Sequence, residues 1–156
     1  MQLTYLVAKN YQGQIIRSLI FFKGVHENMA KKKKVLLIGI DPKLIDSSLA
    51  TTTGWDTNRI QAAAQDINKR LMELGYEVQS CLIDPKDTSQ GIVLDTLSKE
   101  KFDCIMVGAG VRTLPQHTVL FEKIINTIHQ KAPPTSTKIC FNTNPSDTVE
   151  AVLRGI

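Results

Sequence analysis

The residues best suited to chemistry fall in three short clusters. Gly108-Ala109-Gly110-Val111-Arg112-Thr113 follows the apolar run Cys104–Val107. Glycines at 108 and 110 let backbone approach a ligand closely and adopt conformations closed to other residues. Backbone N–H groups at the start of the helix that follows carry about half a positive charge. Arg112 adds a planar fork for carboxylate or phosphate. Gly108, Gly110, Arg112 and Thr113 together read as an anion cradle; the alternative is a tight strand-to-helix turn with an exposed arginine. Asn142 and Thr143 leave the run Lys138–Phe141, where an amide and a hydroxyl can meet the polar groups of a ligand, while Asn144 and Asp147 read as cap and turn residues. Asp41 ends the first apolar run and His117 opens a later helix. A carboxylate and an imidazole there are candidates for proton transfer, set against an ordinary Asp-Pro strand end and an exposed helix-start histidine. Asp41 and His117 are therefore the catalytic candidates. No metal-ligand spacing is present, and no cofactor is expected.

The elements that must hold these residues are legible from periodicity. Val35–Ile40 is a continuous apolar run ending at Asp41-Pro42, the pattern of a strand buried on both faces. A Ser/Thr-rich loop of about sixteen residues follows, Ile40 to Trp55, and loops of that length often serve as lids or binding loops; Thr51-Thr52-Thr53 and Trp55 suit that use, and Trp55 suits the core equally. Asp56 or Thr57 can cap a helix whose apolar stripe is Ile60, Ala63, Ala64, Ile67, Leu71 and Leu74, with Gly75 at the left-handed terminal position. Val78–Ile83 is the second strand. Thr88 or Ser89 opens a helix with Val93 and Leu97 inward. Cys104–Val107 is the third strand. Pro115 suits the first turn of the next helix, striped by Leu120, Phe121, Ile124, Ile125 and Ile128. Lys138–Phe141 is the fourth strand, and Asn144-Pro145 starts a last helix.

Four βα units in succession predict a three-layer, doubly wound parallel sheet, Rossmann-like or flavodoxin-like, in the order 2-1-3-4. Ligands of such sheets bind beyond the carboxyl ends of the strands at the switch point, here between strands one and three. The loops carrying Asp41, Gly108–Thr113 and Asn142–Thr143 all leave the sheet at that edge.

Several familiar chemistries are excluded. No GxGxxG follows the first strand, and GxxxxGK[ST], HExxH and GxSxG are absent. Receiver domains of two-component systems resemble the chain in size, alternation and an acid after strand one, here Asp41. They carry their phosphorylated Asp after strand three, where this chain has Gly108-Ala109-Gly110. Flavodoxins place a phosphate loop after strand one, where Asp41-Pro42-Lys43 stands. A further resemblance covers most of residues 33–154. The strings GAGVRTLPQHTVLFEKIINTIHQKAP and ICFNTNPSDTVEAVLR resemble a family of small uncharacterised single-domain α/β proteins of bacteria and fungi. The resemblance implies the fold and brings no activity, cofactor or site residue with it.

Composition agrees with one globular domain. The chain has 156 residues, 42% hydrophobic and 22% charged, without an apolar run long enough to span a membrane. Its formal charge is +4, but residues 1–34, which include Lys31–Lys34, carry +6, and the remainder, at −2, is mildly acidic and has no cationic stripe for nucleic acid. Cys81, Cys104 and Cys140 lie in apolar runs without CxxC spacing, which suits small hydrophobes in a reducing, cytoplasmic setting. Residues 31–156 form the domain. Residues 1–30 read as an N-terminal extension, compatible with a hairpin of Thr4–Ala8 and Ile15–Phe22, with disorder, or with a start at Met29. The expected function is binding or turnover of a small anionic metabolite, phosphate or carboxylate, at the carboxyl edge of the sheet. The alternative is a non-enzymatic regulatory or protein-interaction domain. Both readings admit a homodimer.

Overall fold

A computed structural model describes residues 8–9, 15–16, 31–44, 56–85 and 88–156. Two compact units are present, Met1–Lys31 and Lys32–Ile156. In the first, strands β1 (Ala8–Lys9) and β2 (Ile15–Ile16) pair antiparallel, Ala8 opposite Ile16. The other residues of the expected extension, and the expected lid residues Thr51–Thr53 and Trp55, lie outside the described residues.

The second unit is built on four parallel strands: β3 (Lys34–Ile40), β4 (Glu77–Ile83), β5 (Cys104–Val107) and β6 (Lys138–Phe141). They lie side by side in the order β4-β3-β5-β6, the 2-1-3-4 arrangement expected. Among the described residues five helices accompany them: α1 (Thr57–Glu73), α2 (Ser89–Lys99), α3 (Ala109–Arg112), α4 (Thr118–Lys131) and α5 (Thr148–Gly155). This is an α/β domain of flavodoxin-like type.

Alternation along the central strands divides the core in two, because successive strand side chains point to opposite faces. Leu36, Ile38, Ile105 and Val107 pack with Val93 and Leu97 of α2 and Leu120, Ile124 and Ile128 of α4. Val35, Leu37, Cys104, Met106 and Cys140 pack with Ile67 and Leu71 of α1 and Val149, Ala151 and Val152 of α5. A strand clad on both sides has no use for polar residues, which is why β3 and β5 read as unbroken apolar text.

Local signals account for the helix ends. The Asp56 carboxylate accepts the Arg59 N–H at 2.8 Å and caps α1. Gly75, just past α1, has φ +91°, a conformation that favours glycine. The apolar stripe of α1 is narrower than expected. Ile67 and Leu71 are buried, but Ala64 faces solvent and Leu74 is 54% exposed. Ala64 sits a step around the helix from Ala63, and Leu74 lies beyond the last turn. At the sheet's amino edge Lys34 ends the lysine run by bridging Glu77 at 3.0 Å and Glu100 at 2.9 Å; Lys31, Lys32 and Lys33 are exposed.

Truncating the fully buried Ile38 to Ala removes contacts on the α2–α4 side and leaves a cavity, so Ile38→Ala should lower unfolding stability by about 3 to 4 kcal/mol. Leu74→Ala should change it by less than about 0.5 kcal/mol. Urea unfolding curves of the two variants read both values.

Candidate functional site

Because all four strands run the same way, the segments that leave β3, β5 and β6 emerge at one edge of the sheet. Backbone bonds fix their depth there. Asp41 N–H donates to the Ile83 carbonyl at 3.0 Å, and Gly108 N–H donates to the Ile38 carbonyl at 2.8 Å. Asp41, Arg112 and Asn142 thus share the carboxyl edge.

Asn142 ties this edge together. It is 4% exposed, and its side chain is used up internally. Its Oδ1 accepts the Ala109 N–H at 2.7 Å, capping α3. Its Nδ2 donates to the Asn144 carbonyl and the Thr148 hydroxyl, both at 2.8 Å. Its own carbonyl accepts Arg112 Nη2 at 2.6 Å. Both amide hydrogens are therefore spent within the protein, and the expectation that they meet a ligand has no support in this geometry.

Arg112 is bound as much as it is presented. The guanidinium carbon lies 5.5 Å from the centre of the Phe141 ring, a cation–π arrangement, while Nη2 holds Asn142. Nε is different: it is buried and has no hydrogen-bond partner. A buried donor without an acceptor costs about 1 to 3 kcal/mol, so this atom marks unmet demand at the edge.

The glycines serve the fold differently from the expectation. Neither has a positive φ; among the described residues only Gly75 does. A Cβ at Gly108 would stand 3.1 Å from the Ile38 carbonyl oxygen, so Gly108 permits β5 to pass close to β3 rather than close to a ligand. At Gly110 the nearest atom to such a Cβ is Ile40 Cγ1 at 3.7 Å, an ordinary contact, and the residue is exposed. Thr113 is exposed, and its hydroxyl bonds back to the Ala109 carbonyl at 2.8 Å.

After β6, a carboxylate of the protein occupies the nest of amides. Asp147 accepts the Thr143 N–H at 3.0 Å from each oxygen, the Asn144 N–H at 3.1 Å and the Thr143 hydroxyl at 2.7 Å. Partial burial opposes its ionisation. The Thr143 hydroxyl and the backbone amides outweigh that and hold the carboxyl below its ordinary value. Thr143 is thus a partner of Asp147. Asp41 is likewise engaged: its Oδ1 accepts the Lys43 N–H at 3.0 Å across the turn Pro42–Leu44.

His117 keeps chemical capacity. Its Nδ1 lies 2.7 Å from the Gly110 carbonyl oxygen. A carbonyl only accepts, so Nδ1 carries the proton, and in the neutral ring Nε2 holds a lone pair. Among the described residues Nε2 has no hydrogen-bond partner.

Two features escaped the sequence. The turn α3 was hidden by its glycines and depends on Asn142, 33 residues later in the chain. The cation–π pairing of Arg112 with Phe141 joins two loops that no local pattern links. A cavity of ≈ 210 Å³ opens at the opposite edge, beside His129 and Lys138, and holds none of the expected site residues. Among the described residues no group of three His, Cys, Asp or Glu is placed to hold a metal, and no helix is long and apolar enough to cross a membrane. Compared with known proteins, the chain matches no family model and no curated sequence.

Two outcomes follow. Asn142→Ala strands the Ala109 N–H and takes the amide hydrogens from the Asn144 carbonyl and the Thr148 hydroxyl, while the backbone carbonyl that holds Arg112 remains, and should cost about 3 kcal/mol of unfolding stability in urea titration. The lowered Asp147 carboxyl stabilises the fold fully above the unfolded value of about 4 and loses that contribution as pH falls through the lower, folded value. Asp147→Asn should therefore lower Tm at pH 7 and flatten its fall as the pH drops below about 4, read by thermal melts from neutral to acid pH.

Proposed function

We propose that the protein binds a small anionic metabolite, a phosphate or carboxylate, at the carboxyl edge of the sheet between β3 and β5. The observation that carries this reading is the unpartnered Nε of Arg112 at the topological switch point. An anion on that side of the guanidinium supplies the missing acceptor through a charge-assisted bond. The exposed stretch at Gly110 leaves room for a ligand's approach.

His117 gives the reading its catalytic form. The Gly110 carbonyl fixes the ring through Nδ1, and Nε2 is then the atom able to take a proton from a bound ligand or return one. Asp41 is the second candidate, oriented by the Lys43 N–H. Gly108, Asn142 and Thr143 act in this reading by holding the loops and not by touching the ligand. The three free, buried thiols fit a reducing, cytoplasmic compartment.

Thermal-shift measurements against phosphate- and carboxylate-bearing metabolites test the proposal. A ligand at a hundred times its Kd should add about 2.7 kcal/mol of stability. Arg112→Lys keeps the charge but loses the fork and should weaken binding by about tenfold or more. Lack of stabilisation across the series, or equal stabilisation of Arg112→Lys, would overturn it and favour the interaction-domain alternative.

A further inference from the structure

Two thiols lie in contact within the core. Cys104 Sγ and Cys140 Sγ are 3.4 Å apart on the neighbouring strands β5 and β6. Cys104 pairs in register with Lys138, and Cys140 pairs with Met106, so the two cysteines share a sheet face two residues out of step. Both are free and buried, at 0% and 5% exposure. Gly155, in the last turn of α5, covers them. A Cβ there would lie 3.2 Å from Cys140 Cβ and 3.3 Å from Cys104 Sγ, so no larger residue fits without displacing the pair or the helix end.

We propose that Cys104 and Cys140 form a redox modification site at which hydrogen peroxide converts the two thiols into an intramolecular disulfide. An S–S bond is about 2.05 Å long, so the sulfurs must approach by little more than an ångström. The two-residue offset strains the product, the character of a labile disulfide rather than a structural one. Helix ends open at low free energy, and lifting the last turn of α5 withdraws Gly155 and admits a molecule as small as peroxide.

The environment separates the roles of the two sulfurs. With Cys104 as the hydrogen-bond donor, that bond raises its own ionisation value, and burial and the Asp103 carboxylate act the same way. The same bond lowers the value of Cys140 against the effect of burial, with help from the Arg154 charge. Arg154 is held nearby by its 2.9 Å bond to the Phe141 carbonyl. Cys140 is thus the attacking sulfur. Its thiolate, having released a proton to solvent, attacks one peroxide oxygen. The O–O bond breaks, hydroxide leaves and takes up a proton as water, and Cys140 becomes a sulfenic acid. The Cys104 sulfur then attacks the Cys140 sulfur as its proton passes to the departing hydroxyl. The S–O bond breaks and a second water leaves. Two thiols lose two electrons and two protons, and one peroxide is reduced to two waters.

The test treats the folded full chain with hydrogen peroxide, alkylates remaining thiols and maps the digest by mass spectrometry. A peptide pair joined through Cys104 and Cys140, lighter by two hydrogen atoms, is expected within one chain, and it should persist in Cys81→Ser. In Cys104→Ser, a sulfenic acid trapped by dimedone should accumulate at Cys140 at least several-fold over wild type. The proposal is overturned if Cys104 and Cys140 stay alkylatable after Cys81 has oxidised. It is equally overturned if the cross-link uses Cys81 or joins two chains, or if Cys104→Ser traps no sulfenic acid at Cys140.

Discussion

The carboxyl edge of this domain depends on one buried amide. The Asn142 side chain caps α3, holds the turn that begins α5, and leaves its own carbonyl for Arg112. Buried polar groups are expensive unless fully paired. Here both amide hydrogens and the amide oxygen are paired, so the network orders two loops that share no sequence neighbourhood. The parallel sheet brings the loops to one edge, and Asn142 turns that proximity into a fixed geometry. A hydrophobic residue of similar size at 142 would pack but would leave the Ala109 N–H without its acceptor and the Asn144 carbonyl and Thr148 hydroxyl without the amide's hydrogens.

The same economy decides what the edge can offer to another molecule. Amides suited to cradling an anion after β6 already hold Asp147, and the lowered ionisation value of that carboxyl, which favours its charged form, reflects how well they do so. Asp41 caps its own turn. What is left lies on the β5 side: the unpaired Nε of Arg112 and the Nε2 of His117. A guanidinium clamped over Phe141 has already lost much of its side-chain freedom, so an anion meeting it would pay little further ordering entropy.

Most of the fold could be read in the sequence because its signals are local. The continuous apolar runs Val35–Ile40 and Cys104–Val107 require burial on both faces, and burial on both faces requires flanking helix layers. Asp56 and Gly75 mark the ends of α1 through their own backbone preferences. The site was only half legible for the opposite reason. Residue type and sheet edge placed Arg112, Asn142 and Asp41 together, but the partner of each polar group is set by contacts far apart in the chain. Asn142 to Ala109, Phe141 to Arg112 and Cys140 to Cys104 are pairings between segments, and spacing within a segment carries no trace of them. Gly108 illustrates the same limit. Its type announced a close approach, but only the structure reveals that the approaching group is the Ile38 carbonyl.

The most direct measurement of the central claim is nuclear magnetic resonance of the Arg112 Nε–H and His117 ring signals during titration with inorganic phosphate. The account predicts saturable shifts of both signals, with the backbone amides of Thr143 and Asn144 unmoved because Asp147 keeps them. Shifts confined to the exposed lysines at the opposite edge, or an Arg112 Nε–H signal indifferent to phosphate, would contradict it.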